Sequence, residues 1–407
     1  RDFLKTFGTA AIGSPFLSLD LSSNHKFENY SKRNNLSETD FWKKIREDYT
    51  LKKDYINLEN GYYCIVPNPT LNNFIAHVKK INIEGSYYMR HNRDKDNKRI
   101  EARLANFLNC DPDELVVTRN TTESLDLIIG GFPWKKGDEA IYAKQDYGAM
   151  QQMFKLVSKR HGVVNKVVSV PNHPKSDEEI VKLYENQITS KTKLIMVCHM
   201  VNITGHILPI RKICDMAHKY GVEVMVDGAH CIGHFKVNIS ELNCDYYGSS
   251  LHKWLSTPLG VGILYISKNK ISKINPLLAS HVHEQDNILR LNHIGTHPVY
   301  TDLAVDNALD YQEMIGTDRK ENRLRYIQRY WSDRLRKIKN VVINTPIEEH
   351  KSCGIANVGI KNMEPGKLSK ILLDKYQIFT VAINHENVVG CRISPNVYTN
   401  EEDLEHF

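Results

Sequence analysis

Seven short apolar runs, at 114–118, 139–143, 166–170, 194–199, 222–226, 246–249 and 262–266, alternate with segments long enough for crossover helices, at 122–129, 149–160, 177–187 and 210–220. Strands and helices that alternate in this way argue for a mostly parallel, seven-stranded sheet covered by helices on both faces. In such sheets ligands gather beyond the carboxyl ends of the strands. The texture changes past residue 276. A helical stretch over 302–338, nearly free of Pro and Gly, precedes short strands at 341–344, 356–360, 378–382 and 391–394, with a helix at 366–375 among them. The chain therefore reads as a large domain, 61–275, and a smaller α/β C-terminal domain, 276–407. A capped helix around 41–46 and a strand at 55–61 lie ahead of these, and the 38–60 segment is expected to pack with the small domain. Helices are also expected at 69–81 and 97–109.

Composition narrows the classes. The 407 residues are 41% hydrophobic, enough for a large core. The net charge of +6 is spread along the chain rather than gathered into a patch, so nothing points to nucleic acid. The eight cysteines form no Cys-x-x-Cys pair, and neither zinc spacing nor a disulfide framework is indicated. At the start, Arg1-Asp2-Phe3-Leu4-Lys5 and the apolar 6–19 resemble the latter half of a twin-arginine export signal. Residues 1–21 are accordingly read as that signal and 22–37 as a polar spacer, with a periplasmic location expected. The alternative is a frayed N-terminal helix of a cytoplasmic protein. No other apolar stretch is long enough to span a membrane.

Two residues bring chemistry to the strand ends. Asp227 closes the run 222–226, and Lys253 follows the next strand in Gly248-Ser249-Ser250-Leu251-His252-Lys253. Pyridoxal phosphate (PLP) requires such a pair: a lysine amine to form a Schiff base with its aldehyde, and a carboxylate to keep its pyridine nitrogen protonated. Either residue alone would read as an ordinary strand end or a surface lysine. Asn120, Thr121 and Thr122 sit where a strand turns into a helix, and a helix N-terminus with hydroxyls suits a phosphate; a plain N-cap would look the same. Ser250 and His252 are further donors beside Lys253. Tyr147 follows a strand end and offers a ring to stack on a planar cofactor, or is a surface tyrosine. Asn202, past another strand end, suits the cofactor's phenolic oxygen, and His230 either packs near the cofactor or is a satisfied turn histidine.

Together these segments resemble the class V aminotransferase family, over most of the chain past residue 54. Asp227, Ala229, His230, His252, Lys253, Gly260 and Gly262 carry the family pattern. The resemblance implies a fold type I, aspartate aminotransferase-like architecture and PLP as cofactor. It makes Lys253 the Schiff-base lysine, Asp227 the pyridine partner, Tyr147 the stacking residue and Asn202 the phenolate contact. Thr121, Thr122, Ser250 and His252 fall at the phosphate. Gly295-Thr296 resembles the segment that reaches the phosphate of a second subunit, which implies a homodimer with shared sites. Arg392 resembles the arginine that grips the substrate carboxylate, and Asn60-Gly61 the N-terminal substrate loop.

Asp227-Gly228-Ala229-His230 and Asp146-Tyr147-Gly148-Ala149 look nearest to the isopenicillin N epimerase-like branch. The desulfurase branch needs a mobile cysteine ahead of the substrate arginine, whereas here 385–390 is short and holds none, and Cys391 abuts Arg392 in an apparent strand. The expected enzyme acts on an amino acid or a derivative, with Lys253 as the base and epimerase-like or lyase-like outcomes ahead of transamination. His199, His230 and Tyr147 are candidates for a second acid or base. Two rivals remain: a desulfurase, and a protein that binds PLP without turnover.

Overall fold

In the computed structural model, Arg33, 35–282 and 284–407 are described. The segment read as an export signal, 1–21, lies outside the described residues, as does most of the spacer. The chain divides into two compact units, 1–44 and 45–407. Within the first, Trp42 Nε1 donates to Glu38 Oε2 at 3.0 Å one helical turn away.

The second unit is built on a seven-stranded sheet ordered β2-β8-β7-β6-β5-β3-β4. Its strands are β2 (Leu115–Thr118), β3 (Glu139–Ala143), β4 (Val164–Val168), β5 (Thr192–Cys198), β6 (Glu223–Asp227), β7 (Tyr246–Ser250) and β8 (Gly262–Ile266). All neighbours are parallel except around β8, which opposes both β2 and β7. Residues of β5 and β6 are buried on both faces, which explains their unbroken Leu/Ile/Val/Met runs. On one face Leu125, Ile128 and Ile129 of the helix Thr121–Gly131 pack with Phe154 of Gly148–His161 over Met196, Met225 and Leu264. The edge strand β4 begins two residues earlier than its sequence pattern suggests. Val164 and Val167 are half exposed there, so burial does not fix its limits.

The C-terminal part carries a four-stranded sheet, β12-β13-β10-β9. Its members are β9 (Val341–Ile343), β10 (Ala356–Ile360), β12 (Val381–His385) and β13 (Val388–Ile393), against which the helix Pro365–Tyr376 packs. Two features differ from the sequence reading. The 302–338 stretch is two helices, Tyr300–Ile315 and Thr317–Leu335, broken at Gly316, whose φ of +86° is outside the helical range. The 385–390 segment is a tight β12–β13 hairpin, turning through Glu386 (φ +52°) and Asn387. The N-terminal strand β1 (Ile56–Asn57) joins β11 (Ile378–Phe379) in parallel, and Glu59 bridges to Ser394 just beyond. That pairing brings the Glu59–Tyr62 turn to the end of β13. Among the described residues no helix is long and apolar enough to cross a membrane.

Candidate active site

Asp227 ends the central strand β6, flanked by Cys198 of β5 and Gly248 of β7. Its side chain is buried, and Oδ1 accepts from Ala229 N at 3.0 Å. Burial pushes its carboxyl up from the usual range; the Ala229 amide, the Lys253 charge and the Cys198 thiol oppose that shift. Lys253 follows β7 by three residues, and its Nζ lies 3.0 Å from His230 Nε2. Burial pushes the lysine down to about 8, assisted by the Arg392 charge and resisted by Asp227. Such an amine is partly neutral near pH 8 and can act as a nucleophile or a base.

At the other end of the cavity β2 runs into the helix Thr121–Gly131. Asn120 caps it by accepting from Glu123 N at 2.9 Å, while Ser250 Oγ lies 2.9 Å from Thr121 N and 2.7 Å from Thr121 Oγ1. Gly262 of β8 permits this: a Cβ there would stand 2.7 Å from Asn120 Cα. The loop thus lies flat against the sheet, with the N-terminus of the helix beside Ser250.

Arg392, on β13, enters from the C-terminal sheet. Its Nε and Nη2 donate to Glu59 at 3.2 and 2.5 Å, and Nη1 donates to the Asn202 carbonyl at 3.3 Å. Glu59 is a residue the sequence reading missed. Tyr62 N and Ser394 Oγ also donate to it, so the carboxylate is fully engaged. Gly61 is fitted to the same guanidinium, because a Cβ there would come within 2.5 Å of Arg392 Cζ.

These groups surround one cavity of about 330 Å³. Asn120, Thr121, Thr122, Tyr147, Asn202, Asp227, His230, Ser250, His252, Lys253, Gly61 and Arg392 all line it. Tyr147, half exposed, caps the helix Gly148–His161 at its mouth. Three expected residues lie elsewhere. Asn60 is fully buried, its amide holding the Ser394 carbonyl (2.8 Å) and accepting from Tyr398 Oη (2.9 Å), which is a framework role. Thr296 is exposed beside Gly295 and does not line the cavity. His199 sits behind the sheet end with Nδ1 3.1 Å from Tyr247 Oη, away from the lining. A larger cavity of about 590 Å³ around Arg46, Lys52 and Tyr376 has no comparable convergence, and Arg46 is already paired with Asp403.

The residues present fit PLP. The helix N-terminus and Ser250 suit its phosphate, and Asp227 and Lys253 suit its ring nitrogen and aldehyde. In addition, His252 Nδ1 is buried at the cavity wall with no hydrogen-bond partner among the described residues, a polar atom that calls for one. A buried carboxylate, a lysine that burial holds below its ordinary value and an anion cradle round one cavity define the site of a PLP-dependent, fold type I enzyme.

Comparison with known proteins agrees. The chain belongs to the aminotransferase class-V family, whose profile matches residues 70–407. It is a PLP-dependent enzyme. It is similar to the isopenicillin N epimerase of Streptomyces clavuligerus, 25% identical over 321 residues that cover 75% of this chain and 81% of that one. It is also similar to the cysteine desulfurase of Wigglesworthia glossinidia brevipalpis, 26% identical over an alignment 408 positions long that covers 90% and 95% of the two chains. Among solved structures, C-DES with glycine covalently linked to its PLP cofactor superposes with a TM-score of 0.80 at 20% identity, covering 89% of this chain and 97% of that one, a likeness of fold.

Proposed function

We propose that the protein removes the α-proton of an amino acid, or of an amino-acid derivative, at Lys253 and finishes by epimerisation or by loss of a β-substituent. The observation that carries this reading is the single cavity shared by the Lys253 amine, the Asp227 carboxylate and the Arg392 guanidinium. Bound PLP supplies the electron sink for charge that develops at the α-carbon. Asp227 holds a proton at the pyridine nitrogen. Arg392 orients the substrate carboxylate; Glu59 takes the Nε–Nη2 side of its fork, so the substrate meets the outer Nη1–Nη2 edge. Lys253 takes the α-proton and returns it, and His230 is the nearest second group.

Sulfur transfer to an enzyme thiol is disfavoured by where the cysteines lie. Cys391 is buried in β13 with Sγ 3.6 Å from Pro365 O, and burial pushes it up to about 11. Cys198 lines the cavity, yet burial beside Asp146 and Asp227 raises its thiol well above the usual value. Cys64, donating to Asn60 O at 3.3 Å, is pushed up to about 12. None of the three is a ready thiolate.

The protein is further proposed to act as a homodimer in which Gly295-Thr296 serves the partner's phosphate site; Thr296 is exposed and does not line its own cavity, which supports this. The test of the reaction is the holoenzyme in D₂O with a panel of L- and D-amino acids, followed by proton NMR, chiral separation and 2-oxo acid assay. At least one amino acid should lose its α-proton signal, with an inverted or deaminated product, and Lys253→Ala should abolish this. No exchange with any member of the panel would overturn the reading.

A further inference from the structure

Behind His230 lies a set of hydrogen bonds that the reaction scheme does not use. Trp254 is fully buried, and its indole Nε1 donates to His230 Nδ1 at 3.3 Å. An indole N–H can only donate, so His230 Nδ1 is the acceptor and carries no proton. The single proton of the neutral ring is then on Nε2, which faces Lys253 Nζ at 3.0 Å.

The rest of the set holds Trp254 in that orientation. The His234 ring stacks on it at 3.6 Å and 18°. His234 accepts from Gly354 N at Nε2 (2.7 Å) and donates from Nδ1 to the His230 carbonyl (2.8 Å), so its own tautomer is fixed. Lys320 Nζ donates to the Trp254 carbonyl at 2.6 Å. Other groups around the Lys253–His230 pair are Asp227, Arg392, His252, Cys64 and Cys198. None of them hydrogen-bonds a ring nitrogen of His230; Trp254 and Lys253 do.

We propose that Trp254 is a positioning residue that fixes His230 as the Nε2–H tautomer, so that the imidazole donates to Lys253 and favours its neutral, nucleophilic amine. A charged Lys253 would need His230 Nε2 to accept. The ring proton would then sit on Nδ1, against the indole N–H. Without Trp254 that conflict disappears and the charged amine is tolerated. Burial and the Arg392 charge act on Lys253 in the same direction as this contact.

The inference rests on Lys253 as the amine that takes PLP. Condensation of that amine with the aldehyde forms the C=N bond, releases water, and needs the unprotonated amine. The experiment uses full-length protein stripped of PLP and measures the rate of PLP capture by absorbance from pH 6 to 10, for wild type, Trp254→Phe, His230→Leu and the double variant. A lost hydrogen bond of ordinary strength corresponds to a midpoint about 0.5–1 pH unit higher in Trp254→Phe, or about 3–10-fold slower capture at a pH below both midpoints. In the His230→Leu background the same substitution should move nothing further. If Trp254→Phe misfolds by near-ultraviolet circular dichroism, ¹⁵N-histidine NMR of the wild type decides alone. It should show His230, assigned by its loss in His230→Leu, protonated on Nε2. A protonated Nδ1, an unmoved midpoint, or an equal shift in the absence of His230 would overturn the role of Trp254. No capture by the wild type at any pH would instead overturn Lys253 as the cofactor's amine.

Discussion

Removal of the Glu59 carboxylate should destabilise the protein far more than an ordinary surface substitution, and the structure gives the size. The Glu59 and Arg392 side chains are 6% and 9% exposed and share two N–H···O contacts. In Glu59→Ala the guanidinium stays buried with the Asn202 carbonyl, 3.3 Å away, as its remaining hydrogen-bond acceptor among the described residues. Orphaning one member of a buried ion pair costs about 3–5 kcal/mol. With an unfolding entropy near 2.1 cal/mol/K per residue, a unit of this size should melt about 4–7 °C lower. Replacing both partners, as Glu59→Ala with Arg392→Met, removes the orphaned charge and should recover most of the loss. Scanning calorimetry of wild type, Glu59→Ala, Arg392→Met and the double variant, PLP-free and PLP-loaded, reads this directly. A Glu59→Ala melting temperature within a degree of wild type, or a double variant no better than Glu59→Ala, would refute the claim that the pair acts as a unit.

Asp227→Asn should slow turnover by about 10²–10³-fold, as for loss of one preorganised electrostatic partner. It should also lower the pH midpoint of PLP capture, because Asp227 supports the charged form of Lys253; an unchanged midpoint would contradict the Asp227–Lys253 coupling. Acid should destabilise the fold through buried histidines: burial pushes His199 and His206 down to about 4 from an ordinary 6.5. Each is neutral when folded and charged when unfolded, so the stability it contributes is present above pH 6.5 and falls by about 1.4 kcal/mol per unit as the pH drops toward 4. Urea midpoints from pH 4 to 8 should show that slope, and His199→Asn should flatten it; an equal slope in the variant would count against the assignment. Cys391→Ala should leave any sulfide release from cysteine unchanged, whereas a thiol-dependent loss would revive the desulfurase reading.

What was legible in the chain follows physical rules. Asp227 stands out because it directly follows an apolar run that only a buried strand accommodates, and Lys253 because it lies three residues past the next strand; strand ends of such sheets hold ligands. The Asn120–Thr122 cap was readable for the same reason, although a cap and an anion site share one sequence signature. Glu59 was hidden because its partner lies 333 positions away and is brought close by strand pairing alone. The β12–β13 hairpin was missed because its turn, Glu386-Asn387, has no glycine although Glu386 adopts a positive φ. Trp254 carried no signal, since an indole donor acquires meaning from the histidine nitrogen it faces. His199 follows a strand end as Asn202 does, yet its ring turns to Tyr247 rather than to the cavity, a choice made by packing.

The proposed function depends on Lys253 as the amine that holds the cofactor. Borohydride reduction of the PLP-loaded protein, followed by peptide mass mapping, tests this assignment. A pyridoxyl mass is expected on the peptide that contains Lys253, and none in Lys253→Ala. Lys320 is the demanding control: it is buried nearby, and burial pushes it likewise down to about 8. A label on Lys320, on surface lysines at random, or nowhere would overturn the assignment of Lys253.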